Sequence, residues 1–149
     1  MQWADVSKLK IGDTASCDLV VYERSLAAFA ELSGDDNPLH MNENVARNLG
    51  FPRRVAHGML ALSAISRLIG TQLPGPGSLW VSQELKFPAP ALVGDALLAR
   101  VTVERVSLAA GLVKLQTEVR KRDSDTIVLS GTATVRIPHL QNPGTSPHE

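Results

Sequence analysis

The apolar segment at residues 58–72 places the strongest constraint on how this chain can fold. Arg67 is its one clearly charged residue, and the apolar side chains cover most of a helical circumference: Met59, Leu60, Ala61, Leu62, Ala64, Ile65, Leu68 and Ile69. A helix that is apolar nearly all round is typical of a buried position. Other elements must therefore cover it, and a curved β-sheet is the natural cover.

The rest of the chain carries patterns typical of strands, with one strand before the apolar segment and four after it. Their predicted ranges are 14–22, 78–87, 97–106, 112–121 and 126–137. Turn-like residues at 109–111 and 123–125 separate the last three, which favours antiparallel pairing. Gly131 lies inside the last strand and predicts a bulge. We therefore expect an α+β domain with an antiparallel sheet around a long central helix.

The residues between the first strand and the apolar segment predict two shorter helices. Ser25 is the expected N-cap of the first, and Gly34 suits the left-handed residue that closes it. Asn42 is the expected cap of the second, over residues 43–48. Between these helices Asn37 precedes Pro38, so we expect an ordered but non-helical loop.

This loop brings a carboxylate and an imidazole close together in sequence, at Asp35 and His40. Each alone is more often structural, Asp35 as an ordinary loop aspartate and His40 as a satisfied histidine. Together they suit acid–base chemistry on one water. His57 and Gly58 open the apolar helix, where free N–H groups favour negative charge. We expect His57 to fix the helix entry and Gly58 N–H to donate to a developing oxyanion.

Three segments resemble the MaoC-like (R)-specific enoyl-CoA hydratases. They are Leu32-Ser-Gly-Asp-Asp-Asn-Pro-Leu-His40, Phe51-Pro-Arg-Arg-Val-Ala-His-Gly-Met-Leu60, and Phe87-Pro-Ala-Pro90 followed by Val93-Gly-Asp95. The similarity runs from about residue 11 to residue 137, and its Asp-x-Asn-Pro-Leu-His motif is specific. The resemblance implies a hot-dog fold, a homodimer and thioester substrates carried by coenzyme A or acyl carrier protein.

The resemblance also implies roles for the site residues. Asp35 and His40 would share one water, and Asn37 would orient the loop or touch that water. Ser66 matches a family serine that hydrogen-bonds the catalytic carboxylate, although back-bonding within its own helix is an equal alternative. The implied product is a (3R)-3-hydroxyacyl thioester. Dehydration on acyl carrier protein, thioester hydrolysis and a non-catalytic acyl-binding module remain alternatives.

Composition and motifs limit which other partners, metals and cofactors we expect. Fifteen basic and fifteen acidic residues cancel, which argues against a nucleic-acid or membrane-surface protein. Arg53 and Arg54 suit coenzyme A phosphates, or else form a solvated loop pair. One cysteine and four scattered histidines form no recognisable metal motif, and no phosphate-binding glycine loop occurs, so we expect neither metal nor cofactor.

Length and polarity complete these expectations. The chain has 149 residues, enough for one domain over residues 1–140 with a flexible tail over 141–149. No segment reaches the roughly 20 apolar residues that span a bilayer, and the start of the chain has no apolar signal core. We therefore expect a cytoplasmic protein without membrane insertion.

Overall fold

A 14-residue helix and a five-stranded sheet dominate the computed structural model, which describes residues 3–138. The strands are β1 (Thr14–Val20), β2 (Leu79–Lys86), β3 (Ala96–Ser107), β4 (Leu112–Lys121) and β5 (Ile127–Arg136). Their spatial order is β1-β3-β4-β5-β2, and all neighbours run antiparallel. The predicted α+β class is confirmed. The tail predicted at 141–149 lies outside the described residues.

Four α-helices precede β2: α1 (Glu23–Ser33), α2 (Pro38–Met41), α3 (Glu43–Asn48) and α4 (Gly58–Thr71). A 3₁₀ turn over Val6–Lys8 comes before β1. Gly34 closes α1 as predicted, with φ of 76° and its N–H donating to the Ala30 carbonyl. Asn42 caps α3 as predicted, because its side-chain oxygen accepts from the backbone of Asn44 and Val45. Within residues 3–138, no helix is long and apolar enough to cross a membrane.

Two predictions about helix starts were wrong. Ser25 is not an N-cap, since α1 begins at Glu23 after Tyr22, which makes no side-chain capping bond. The Val21 N–H donates to the Asp95 carbonyl and the Val21 carbonyl accepts from the Gly94 N–H, which fixes the chain just before this point, so tertiary pairing sets the helix start. The loop after α1 was predicted to be non-helical, but it contains one helical turn. Pro38 opens the single turn α2, because a proline at the first helical position removes no hydrogen bond.

The core lies between α4 and the sheet, and α4 packs against β1, β3, β4 and β5. Ile65 and Leu68 of the helix and Val101 and Leu115 of the sheet are all fully buried. However, α4 is not buried all round. A strip at helical spacing stays exposed, and we call it the open face of α4: Met59, Ser63, Ser66, Arg67 and Gly70.

Gly131 does not form the predicted bulge. It pairs in register with Thr117 of β4 and Leu85 of β2, and the register shifts of the sheet lie elsewhere. A Cβ atom at this position would overlap the Glu84 carbonyl oxygen. Glycine is therefore needed because β2 approaches the β5 backbone closely.

Candidate active site

A set of local hydrogen bonds fixes Asp35 at the end of α1. Ser33 Oγ accepts from the Asp35 backbone N–H at 3.1 Å and donates to the Phe29 carbonyl at 2.6 Å. Asp35 Oδ1 accepts from the Asn37 backbone N–H at 3.3 Å. These contacts leave the second carboxylate oxygen, Oδ2, free to face a partner.

That partner is His40, in the last turn of α2. Asn37 Oδ1 caps this turn by accepting from the Leu39 N–H at 3.1 Å, so the loop-orienting role expected of Asn37 has a structural basis. His40 Nδ1 lies 2.7 Å from the Val55 carbonyl oxygen. A carbonyl only accepts, so Nδ1 carries a proton and Nε2 is the ring nitrogen left without one. His40 Nε2 lies 4.0 Å from Asp35 Oδ2.

His57 stands behind this pair and is 2% exposed. Its Nε2 lies 2.9 Å from the backbone carbonyl oxygen of Asp35. Its ring centroid lies 4.0 Å from that of His40 and 4.8 Å from that of Phe29. Its Nδ1 is buried without a hydrogen-bond partner among the described residues. The sequence indicated a histidine at the helix entry but gave no sign of this contact with the Asp35 backbone.

Asp35, His40 and His57 each offer an atom that could bind a metal, and these atoms lie within 4.8 Å of one another. The sequence did not predict this grouping, because spacing along the chain does not reveal it. His40 Nδ1 and His57 Nε2 already bond carbonyl oxygens. Metal ligation by His57 would therefore require the buried Nδ1 or the loss of an existing hydrogen bond.

A largely apolar cavity of about 520 Å³ opens beside the pair. His40 and His57 are its only ionisable lining residues among the described part of the chain, and Asp35 does not line it. The apolar lining comes from the segment leading into α4, the start of α4, the segment after β2 and one residue of β5. It includes Phe51, Val55, Met59, Phe87, Pro90 and Val128. Such a cavity suits an apolar chain with its reactive end at His40.

Gly58 stands where this cavity meets the N-terminus of α4. Its backbone N–H has no acceptor in residues 3–138, as expected for the first residue of a helix. A Cβ atom on Gly58 would lie 2.9 Å from Phe87 Cε1. The Phe87 ring therefore packs directly over the glycine, and a side chain at position 58 would crowd the cavity mouth.

The two predicted phosphate-binding arginines point to other partners. Arg53 bonds the carboxylate of Asp95 at 2.9 Å and also donates to the Val93 carbonyl. Arg54 pairs with Glu23 at 2.6 Å. Neither arginine lines the cavity. In this structure both are ion-paired rather than forming a solvated loop pair.

Asp95 is the centre of a buried ionic cluster next to the site. Its side chain is 6% exposed, and it also bonds Lys121 at 2.8 Å and the Leu92 N–H at 2.9 Å. Burial raises the pKa of the Asp95 carboxyl, but hydrogen bonds from Lys121 and Leu92 and the charges of Lys121 and Arg53 outweigh it. The pKa is therefore lowered overall, and the carboxylate stays ionised.

The family can now be assigned from comparison with known proteins. Residues 8–125 match the family model described as a MaoC like domain. The chain belongs to the MaoC-like family. An (R)-specific enoyl-CoA hydratase of Rhodospirillum rubrum is 42% identical over 134 residues, covering 87% of this chain and 89% of the relative.

Two further comparisons extend this picture of the MaoC-like chain. A mitochondrial 3-hydroxyacyl-[acyl-carrier-protein] dehydratase of Arabidopsis thaliana is 36% identical over 148 residues, covering 98% of this chain and 88% of the relative. An unliganded R-hydratase of Pseudomonas aeruginosa superposes with a TM-score of 0.85 at 32% identity, covering 98% and 96% of the two chains. The predicted hot-dog fold is confirmed.

Ser66 is the one predicted catalytic residue, within the described part of this MaoC-like chain, that the protomer leaves apart from the others. It lies on the open face of α4, and a helix rise of about 1.5 Å per residue puts it roughly 12 Å along the axis from Gly58. No hydrogen bond joins it to Asp35 among the described residues. The role predicted for Ser66 therefore stays a prediction.

Proposed function

We propose that this protein catalyses the reversible, (R)-specific hydration of trans-2-enoyl-CoA to (3R)-3-hydroxyacyl-CoA, which makes it a hydro-lyase. The observation that carries the proposal is the facing pair of Asp35 Oδ2 and His40 Nε2 at the edge of an apolar cavity. The names of two similar proteins, the Rhodospirillum rubrum and Pseudomonas aeruginosa hydratases, support the same reaction and stereochemistry.

The separation of the two groups suits one bridging water. At 4.0 Å the oxygen and nitrogen are too far apart for a direct hydrogen bond, but a single water can contact both. In hydration, one group accepts a proton as this water attacks C3, and C2 gains a proton. Such acid–base help is worth about 10²–10⁴-fold in rate. Asp35 and His40 together supply both proton transfers.

Negative charge on the thioester oxygen needs a separate partner, and Gly58 N–H is well placed to provide it. The group has no acceptor among residues 3–138 and belongs to the positive end of the α4 dipole. Donors aimed at a developing oxyanion contribute about 10²–10³-fold each. Gly58 and His40 both line the cavity, which supports the proposal that the oxyanion donor and the acid–base pair act on the same thioester.

Crotonyl-CoA separates the proposed reaction from its alternatives. We expect the enoyl absorbance to fall without release of free thiol. Thiol release would instead identify a thioesterase. If neither signal changes with crotonyl-CoA or with crotonyl-acyl carrier protein, the protein is a non-catalytic acyl-binding module and the proposal is wrong.

Dehydration of a 3-hydroxyacyl group on acyl carrier protein is a second candidate. The Arabidopsis relative acts on a carrier-protein substrate by name, and both predicted phosphate-binding arginines already pair with carboxylates. Arg53 and Arg54 remain candidates for coenzyme A phosphates only if these pairs open. Comparing kcat/KM for crotonyl-CoA and crotonyl-acyl carrier protein decides which carrier is preferred.

Replacing Gly58 with alanine tests the oxyanion site. The added methyl group keeps the N–H but holds the thioester away from it, so we expect kcat/KM to fall at least about 10-fold, less than the loss of a whole donor. The methyl group would also press on Phe87, since a Cβ atom at position 58 lies 2.9 Å from Phe87 Cε1. The Phe87→Leu background is the control, because it gives the methyl group room. If the loss persists there, blocked thioester approach explains it. Full recovery in the double variant would contradict the oxyanion assignment.

We also propose a homodimer, in line with the resemblance. β2 forms one edge of the sheet and exposes Leu79 and Val81, which suits pairing with a second copy. The open face of α4, with Ser66 in it, is a second surface that a partner could cover. Light scattering at micromolar concentration should give twice the 16.0 kDa protomer mass. A monomer would contradict this.

The cytoplasmic location expected from the sequence stays a prediction. Relatives with the same domain carry mitochondrial and peroxisomal names in plants. Fractionation of the source cells, followed by immunodetection, would test it.

A further inference from the structure

We propose that His57 is a positioning residue that holds the Asp35 loop and His40 in register with the N-terminus of α4. This inference rests on the proposed hydratase function and adds a residue that the family motif around Asp35 and His40 does not include. The alternative is that His57 is a core histidine that only fills space under the loop.

The side chain of His57 contacts both members of the acid–base pair. Nε2 lies 2.9 Å from the Asp35 carbonyl oxygen, and because a carbonyl only accepts, Nε2–H must donate. The ring also stacks on His40, with centroids 4.0 Å apart and planes tilted by 33°. One imidazole thus fixes the backbone that carries the carboxylate and supports one side of the reactive imidazole.

The backbone of His57 also has a structural role, at the start of α4. His57 is the N-cap residue of α4, and its carbonyl accepts the Leu60 N–H at 3.0 Å. Gly58, the proposed oxyanion donor, is the next residue. His57 therefore links the acid–base pair to the oxyanion donor. A displacement of the loop would change two distances together, from Asp35 to His40 and from Asp35 to the Gly58 N–H.

The surroundings hold this arrangement in one orientation. His57 is 2% exposed, and Phe29 lies on its ring at a centroid distance of 4.8 Å. Nδ1 is buried without a partner in residues 3–138, so Nε2 is the only ring nitrogen that donates there. The acceptor that this buried donor uses is the backbone carbonyl of Asp35, so the bond ties the ring to the loop that carries the carboxylate.

Two substitutions separate the donor from the ring. His57→Phe keeps an aromatic ring against His40 but removes the N–H, whereas His57→Gln keeps an amide donor at a similar reach. With crotonyl-CoA we expect His57→Phe to lower kcat about 10–100-fold with KM changed less than about 3-fold, as positioning errors of about 1 Å cost up to 10². We expect His57→Gln to recover most of the wild-type kcat.

Equal activity of His57→Phe and wild type, or equal loss in both variants, would overturn the proposal. Ile65→Val is the control for packing, because it trims a fully buried core residue of α4 that makes no hydrogen bond or ring contact with either member of the pair, and its kcat should change less than about 3-fold. Circular dichroism confirms that each variant folds.

NMR of ¹⁵N-histidine-labelled wild-type protein gives a readout that needs neither variants nor turnover. The proposal requires the Nε2–H tautomer at His57 and an imidazole proton protected from exchange. The Nδ1–H tautomer would overturn it. If wild-type protein fails to hydrate enoyl thioesters but shows the protected Nε2–H, the proposed function fails while the positional link stands.

Discussion

Replacing Asp35 with asparagine is expected to lower kcat for crotonyl-CoA hydration at least about 10²-fold while the fold stays intact. The amide keeps the size of the side chain and its contact with the Asn37 N–H but cannot accept a proton from water. His40→Ala should cause a loss of the same order, because it removes the reactive Nε2. Steady-state kinetics with crotonyl-CoA measures both losses.

Asp36 offers a matched control for this experiment. It is the next residue, exposed, and outside the facing pair. Asp36→Asn makes the same chemical change and should leave kcat within about 2-fold. A near-wild-type rate in Asp35→Asn or His40→Ala would remove the acid–base assignment, as would an equal loss in Asp36→Asn. The double variant should lose little more than either single one, since residues that act as a unit are non-additive.

Replacing Asp95 with alanine is expected to cost about 3 kcal/mol of unfolding free energy, because removing one partner of a buried pair leaves the others uncompensated. Lys121 and the Leu92 N–H would lose their bonds, while the half-exposed Arg53 can turn to water. Urea denaturation measures the difference. Asp123→Ala is the control, because that exposed aspartate is near Asp95 in the fold and should change stability by less than about 0.5 kcal/mol.

The same cluster predicts how stability depends on pH. The pKa of Asp95 is lowered in the folded protein from an ordinary value of 3.8. A lowered pKa means that the contribution of Asp95 is fully present above about pH 3.8 and is lost as the pH falls through the lower folded value. The stability gap between wild type and Asp95→Ala should therefore be constant near neutral pH and narrow in acid. A constant gap down to pH 2 would contradict the ionic cluster.

The sequence predicted the fold well because hydrophobic periodicity reports which face of an element is buried. The β4 strand, residues 112–121, agrees to the residue, and α4 differs by one residue at its end. The predictions from sequence were wrong where contacts between distant residues determine the local structure. The start of α1 depends on pairing between Val21 and the turn before β3, and Gly131 is explained by the approach of β2. Neither contact leaves a local pattern in the sequence.

In the candidate site, too, local features were predictable from the sequence and long-range contacts were not. Asp35, Asn37 and His40 lie together because a short loop joins them, so their spacing was informative. The bond from His57 ends on a backbone carbonyl 22 residues away, and every residue has a carbonyl, so no residue type signals it. The ion pairs of Arg53 and Arg54 likewise depend on which carboxylates the fold brings near.

The two members of the acid–base pair face different surroundings. The Asp35 side chain is 51% exposed and does not line the cavity, whereas the His40 side chain is 12% exposed and does. In the protomer, bulk solvent can thus reach the carboxylate from outside, while the apolar side opens on the cavity. For the proposed hydration this gives water and the acyl thioester separate routes to the pair, so that a bound substrate would not block its own supply of the second reactant.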